Sequence, residues 1–159
     1  MRKIGRAVAV MALLSALCAL FGCSKAPEYT TEDIRSVSVS CGHMDYSHSY
    51  SFYLRKTDGG WLLDADYATD TEQPHRAFEE CSVTEEDAKE LLSIVQEQDV
   101  IGKLRRYKKP KIKVQVADET AYYTSVLFTD GTQLGAATHI SDELVNGFYR
   151  LSGKYAVQN

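Results

Sequence analysis

The stretch S-Y-S-F-Y-L-R-K-T-D-G-G-W-L-L-D-A-D-Y, residues 49–67, decides the fold. Two runs of alternating apolar and polar residues flank Asp58-Gly59, a dipeptide that favours a two-residue hairpin because both central positions of a type I′ turn need φ above zero. With that turn setting the register, Leu54 faces Leu63, Phe52 faces Ala65 and Tyr50 faces Tyr67. Each pair is apolar or aromatic and Trp61 falls on the same side, so one face of the hairpin is built for burial.

Working outward, Ile34, Val37 and Val39 in I-R-S-V-S-V-S predict a strand before the hairpin, joined to it through the loop C-G-H-M-D-Y-S-H. Downstream, Thr69 to Pro74 reads as a loop leading to a short strand around Ala77 to Val83. Thr84 then has the chemistry of a helix N-cap, with Asp87 at the reciprocal third position and Glu85 and Glu86 complementing the positive helix end. Ala88, Leu91, Leu92 and Val95 repeat at i, i+3, i+4 and i+7, which is one apolar helical stripe. The pattern weakens at Asp99-Val100-Ile101-Gly102, where a break and a further turn are expected. Next, K-L-R-R-Y-K-K-P-K-I-K merges into Ile112, Val114 and Val116 alternating with Lys111, Lys113 and Gln115, a strand with one basic face. A second hairpin runs from Tyr122 to Phe128 and returns through Asp130-Gly131, again the type I′ dipeptide, to Leu134. Ser141 caps a last helix whose stripe is Leu144, Val145, Phe148 and Leu151, with Gly153 as its stop. These elements predict one α+β domain over residues 34–159, a mainly antiparallel sheet built from two β-hairpins with two helices packed on one face.

The first 23 residues carry a different message. Arg2, Lys3 and Arg6 precede an apolar run of 15 residues, Ala7 to Phe21, short of the roughly 20 that a spanning helix needs. The run ends Leu20-Phe21-Gly22-Cys23, which resembles the lipobox of bacterial membrane lipoproteins, departing from it at Phe21, where a smaller residue is usual. The resemblance implies that residues 1–22 are removed, that Cys23 is acylated with fatty acids such as palmitate, and that the chain is anchored on the outer face of the cell membrane. Ser24 to Asp33 is polar and lacks an apolar period, so residues 23–33 read as lipidated cysteine plus tether, with a mean reach of about 20 Å.

Three of the 18 basic residues and none of the 22 acidic ones lie in the leader, so the remaining 137 residues carry a net charge of −7. An acidic, exported domain without a basic, aromatic platform is not a nucleic-acid binder. All ten tyrosines lie beyond the leader, suiting half-buried strand surfaces and equally binding surfaces for sugars and peptides. Of four cysteines, Cys18 leaves with the leader and Cys23 takes lipid. Cys41 and Cys81 remain, an even pair open either to a disulfide or to two separate thiols.

Three clusters hold chemistry-bearing residues. His43, Asp45 and His48 are metal-ligand types within six positions, weak as a site because two histidines five apart share no helix face; the plain alternative is a polar surface loop. Asp64 and Asp66 project from one strand face with Arg55 diagonally opposite, either a carboxylate pair for acid and base work or calcium, or a solvated face with a surface ion pair. Seven cations crowd between Lys103 and Lys113, namely Lys103, Arg105, Arg106, Lys108, Lys109, Lys111 and Lys113. They would meet lipid headgroups, an anionic wall polymer or an acidic protein, or simply protect a strand edge.

No G-x-S-x-G, H-E-x-x-H or C-x-x-C occurs and no cofactor is implied. The expected function is therefore a non-catalytic, membrane-tethered module for a protein or cell-envelope polymer. Alternatives are an accessory or inhibitory subunit of an envelope transporter or protease, and a small envelope enzyme or metal-binding protein. Cys23→Ala is expected to accumulate unprocessed precursor or release soluble protein; normal processing with undiminished membrane retention would refute acylation.

Overall fold

The computed structural model describes residues 27–43, 48–68, 75–109 and 120–156. Six strands, β1 (Ile34–Gly42), β2 (Tyr50–Thr57), β3 (Gly60–Tyr67), β4 (Arg76–Val83), β5 (Ala121–Phe128) and β6 (Gln133–Ala136), form one antiparallel sheet in the order β4-β3-β2-β1-β5-β6. The expected α+β class with a mainly antiparallel sheet is what the chain adopts. In the first hairpin Leu54 pairs with Leu63, Phe52 with Ala65 and Tyr50 with Tyr67, as their apolar character dictates. Both turns differ in conformation from type I′. Positive φ falls on Gly60 rather than on Asp58 or Gly59. In the second hairpin Phe128 accepts from the Gly131 amide and donates to the Thr132 carbonyl, a three-residue loop whose positive φ sits on Gly131 alone.

Strand β1 lies between the two hairpins. Val37 sits between Leu54 of β2 and Val126 of β5, and Val39 between Phe52 and Thr124, so the inward residues of β1 are buried on both flanks. The helices α1 (Glu85–Glu97), α2 (Val100–Arg106) and α3 (Asp142–Tyr155) join these strands in one core. Ala88, Leu91, Leu92 and Val95 of α1 are buried, as are Leu144, Phe148 and Leu151 of α3. Phe52 is the centre of an aromatic cluster, stacked on Phe148 at 5.4 Å and meeting Tyr67 at 5.3 Å and Tyr149 at 5.0 Å.

Two expectations are corrected here, at Gly153 and in the tether. The expected break falls at Asp99, which adopts φ 48°, ψ 40°, and the further turn is a third helix, formed because Val100 and Leu104, four apart, both bury. Gly153 does not stop α3, which runs to Tyr155 because the residues just beyond the glycine bond to α1. The tether is shorter than its composition implies. Thr31–Asp33 is a turn of 3-10 helix capped reciprocally by Thr30 and Asp33, and Tyr29 stacks on Phe128 with ring centroids 3.8 Å apart while its hydroxyl donates to Asp130 at 2.7 Å. Finally, Cys41 and Cys81 are not bridged. Cys41 ends β1 beside Tyr50, Cys81 pairs with Leu63, and β2 and β3 lie between them, a separation of about 14 Å across three strand spacings before any offset along the strands.

Cys23, the residues of the tether before Pro27, Asp45, the loop at 69–74 and the basic-faced strand with Lys111 and Lys113 lie outside the described residues. Phe52→Ala is expected to cost about 3–5 kcal/mol by removing the centre of the aromatic cluster, and Phe52→Leu much less. Urea midpoints at constant m-value measure the difference.

Candidate functional site

Antiparallel register gathers residues that are far apart in sequence at one end of the sheet. Cys41 pairs with Tyr50 and Tyr122, Tyr50 with Tyr67, Tyr67 with Arg76, and Gly42 with Ala121, so His43, His75 and the start of β5 share a pole. The opposite pole holds Ile34, where β1 begins, about 27 Å away at a strand rise of 3.4 Å per residue. At the Cys41 pole, away from Ile34, lie the two exposed large hydrophobic side chains found among the described residues, Tyr122 at 36% and Tyr123 at 44% exposure.

Being consecutive in a strand, these tyrosines face opposite sides of the sheet. Tyr122 leans on the helix side against His139, with rings 5.3 Å apart at 67°, and His139 Nε2 lies 2.9 Å from Asp142 Oδ1. Tyr123 lies on the outer face across Gly135 of β6, where a Cβ would come within 2.6 Å of the tyrosine hydroxyl. The same outer face carries Ser36, Ser38 and Ser40 of β1, Ser51 of β2 and Ser125 of β5, with Ser38 Oγ and Ser125 Oγ 2.8 Å apart. Ser36 and Ser125 are buried, so the hydroxyls beside Tyr123 are those of Ser40, half-buried, and Ser51, exposed. The combination supplies broad contact area and adaptable hydrogen bonding.

Cys41 lines a cleft at this pole with His43, Ser49, Tyr50, Asp66 and His75. Burial pushes its thiol pKa up, with Tyr122 opposing in part, so the sulfur is held protonated and is a poor nucleophile. Burial likewise raises Tyr50 and Tyr149, which stay neutral phenols beside it.

The carboxylates predicted from sequence are separated rather than paired. Asp64 binds Arg55, which also reaches Glu80 at 3.0 Å, and its second oxygen accepts from the Glu80 amide at 2.7 Å. It thereby holds the β-bulge of β4, where Glu80 has φ 55° and the register with β3 slips. Asp66 instead meets His75 at 2.6 Å. Each carboxylate thus has its own partner, Arg55 for Asp64 and His75 for Asp66. His43 and His48 stand edge to face, 5.8 Å apart, and among the described residues no group of three or more His, Cys, Asp or Glu is disposed to hold a metal.

Of the seven clustered cations, Lys103, Arg105 and Arg106 occupy the last turn of α2, and Lys108 and Lys109 follow it, exposed. Arg106 pairs with Asp99 at 2.7 Å, which lowers the Asp99 pKa, and Lys103 donates to the Ile140 carbonyl at 3.4 Å. The Arg105 guanidinium donates to the Pro27 carbonyl and lies 5.3 Å above the Tyr29 ring.

A charged junction that sequence reading missed joins α1 to α3. Asp87, 8% exposed, accepts from Lys154 Nζ at 2.6 and 2.8 Å, from the Tyr155 hydroxyl at 2.6 Å and from the Thr84 hydroxyl at 2.8 Å. Hydrogen bonds from Lys154 first, then Tyr155 and Thr84, lower its pKa to about 2. The T-x-x-D spacing disclosed the local cap, but nothing local couples it to residues 67 and 68 positions away. An unfolded aspartate takes up its proton near pH 3.9. The stabilisation is therefore complete above that pH and lost as pH falls through about 2. Because Lys154 is 59% exposed, solvent screens the pair, and Asp87→Asn is expected to cost about 1–2 kcal/mol at neutral pH. The difference between Asp87→Asn and the parent chain should vanish below pH 2 in acid-denaturation titrations; a constant difference would assign the cost to packing.

In comparisons with known proteins, the chain matches no family model, no curated protein and no solved structure.

Proposed function

We propose that the chain is a membrane-anchored, extracytoplasmic lipoprotein whose domain acts as a non-catalytic binding module, engaging an envelope protein or polymer through the Tyr122–Tyr123 pole. The exposed tyrosine pair carries the reading. Large aromatic groups are normally withdrawn from water, and tyrosine is the residue type that most often anchors a binding surface when it is left outside. Ser40, which pairs with Tyr123, and the exposed Ser51 across from it add hydroxyls able to meet the polar groups of a peptide or glycan. The charged start, short apolar run and Leu20-Phe21-Gly22-Cys23 junction support anchoring at Cys23. No described helix is long and apolar enough to cross a membrane.

A photo-crosslinking residue placed at Thr138, in the loop beside His139, is expected to yield a discrete adduct on intact cells. Tyr122→Ala combined with Tyr123→Ala should reduce it at least tenfold, the loss of about 1.4 kcal/mol or more expected of an anchoring pair. The same adduct formed equally from a crosslinker at Glu79 on the β4 edge, or undiminished by the double substitution, would sink the assignment of this pole.

A further inference from the structure

We infer that the anchored domain sits on anionic phospholipid headgroups through the basic surface at the C-terminal end of α2. The inference rests on the lipid anchoring proposed above and adds the surface that meets the membrane. Three observations converge on it. First, the chain joins the fold at this surface: Arg105 grips the Pro27 carbonyl and covers Tyr29, which is itself stacked on Phe128 and bonded to Asp130. Only three residues, Ser24 to Ala26, separate Cys23 from Pro27, so an acylated Cys23 lies within four residue steps, about 14 Å, of that grip. Secondly, Lys103, Arg105, Arg106, Lys108 and Lys109 gather here in a chain whose net charge beyond the leader is −7. The nearby acids are fewer: Asp99, paired with Arg106, Asp130, bonded to Tyr29, and Glu28. Thirdly, cations in the last turn complement the helix dipole, but Lys108 and Lys109 come after the helix and are exposed, so that role does not account for them.

Electrostatics selects the occupant. An anionic leaflet attracts exposed Lys and Arg only within about a Debye length, roughly 8–10 Å, and the short link to Cys23 keeps the cluster in that range. The Arg105 grip sets this geometry, because without it Tyr29 and the preceding residues would swing as a longer and looser tether.

The test uses the chain from Ser24 onward, which retains the whole core because every core residue lies between Ile34 and Tyr155. Cosedimentation with vesicles of phosphatidylglycerol and phosphatidylcholine at low salt is expected to capture it, with release at high salt and little capture by phosphatidylcholine alone. Arg106→Gln, Lys108→Gln and Lys109→Gln together should weaken binding about 10- to 100-fold with an unchanged denaturation midpoint. Changing Lys56, Arg76 and Lys89 to Gln, the same loss of charge elsewhere, should weaken it far less. Equal losses from both triples, or equal capture by neutral vesicles, would overturn the inference. In the acylated chain, paramagnetic headgroup lipids should broaden amide resonances of residues 103–109 and spare those of β4, at the opposite edge of the sheet; the reverse pattern would overturn the inference. Because the vesicle arm needs no lipid on Cys23, an acylated chain whose domain ignores anionic vesicles refutes this surface alone. A domain that binds them although Cys23 is not acylated in cells supports the surface and refutes the anchor.

Discussion

The two halves of the sheet meet only through β1, and that strand must satisfy both of its edges at once. Its amides and carbonyls pair with β2 on one side and with β5, more than 80 residues later, on the other, while Val37 and Val39 enter the core between them. A central strand of this kind tolerates no slip, since a shift of one residue would turn its valines outward and bring Ser38 and Ser40 inward. The β1–β5 pairing is also the longest closure in the sheet. It joins a meander of local contacts, β1 to β4, to a second hairpin that follows α1 and α2 in the chain.

Helix α1 has to be held at both ends for that second half to close. At its start, Asp87 draws Lys154 and Tyr155 of α3 onto the N-terminal turn, where the helix dipole favours the negative charge. At its end, the left-handed Asp99 redirects the chain into α2, whose buried Val100 and Leu104 complete the same core. The docking of Tyr29 on Phe128 depends in turn on this arrangement, because Arg105, which covers the tyrosine, projects from α2. One chain of contacts therefore connects the helical layer to the segment that leads back toward Cys23.

Carboxylates in this fold serve as structural ligands. Asp64 shapes the bulge of β4, Asp66 takes His75, Asp87 joins two helices, and Asp130 holds Tyr29. Asp64 and Asp66, which read in sequence as an acid–base pair, are each committed to a different partner. Tyr122 and Tyr123 are the large apolar side chains left exposed among the described residues, and no local motif marks them in the sequence.

What the sequence determined by itself was local. Alternation around Asp58-Gly59 was enough for the hairpin register, because face and period are properties of a few consecutive residues. The Thr84 and Ser141 caps and the apolar stripes of α1 and α3 were equally legible, each needing only neighbours within two turns. Tertiary structure alone decided where the segments meet. Gly153 failed to end α3 because Asp87, 67 positions away from Lys154, accepts the bonds of the residues just past it. The tether shortened because Phe128, Asp130 and Arg105 capture Tyr29. Cys41 and Cys81 stayed apart because sheet order placed two strands between them. Periodicity and capping act over a turn or a strand and are written in the chain, whereas a partner supplied from another element depends on how all the intervening elements pack.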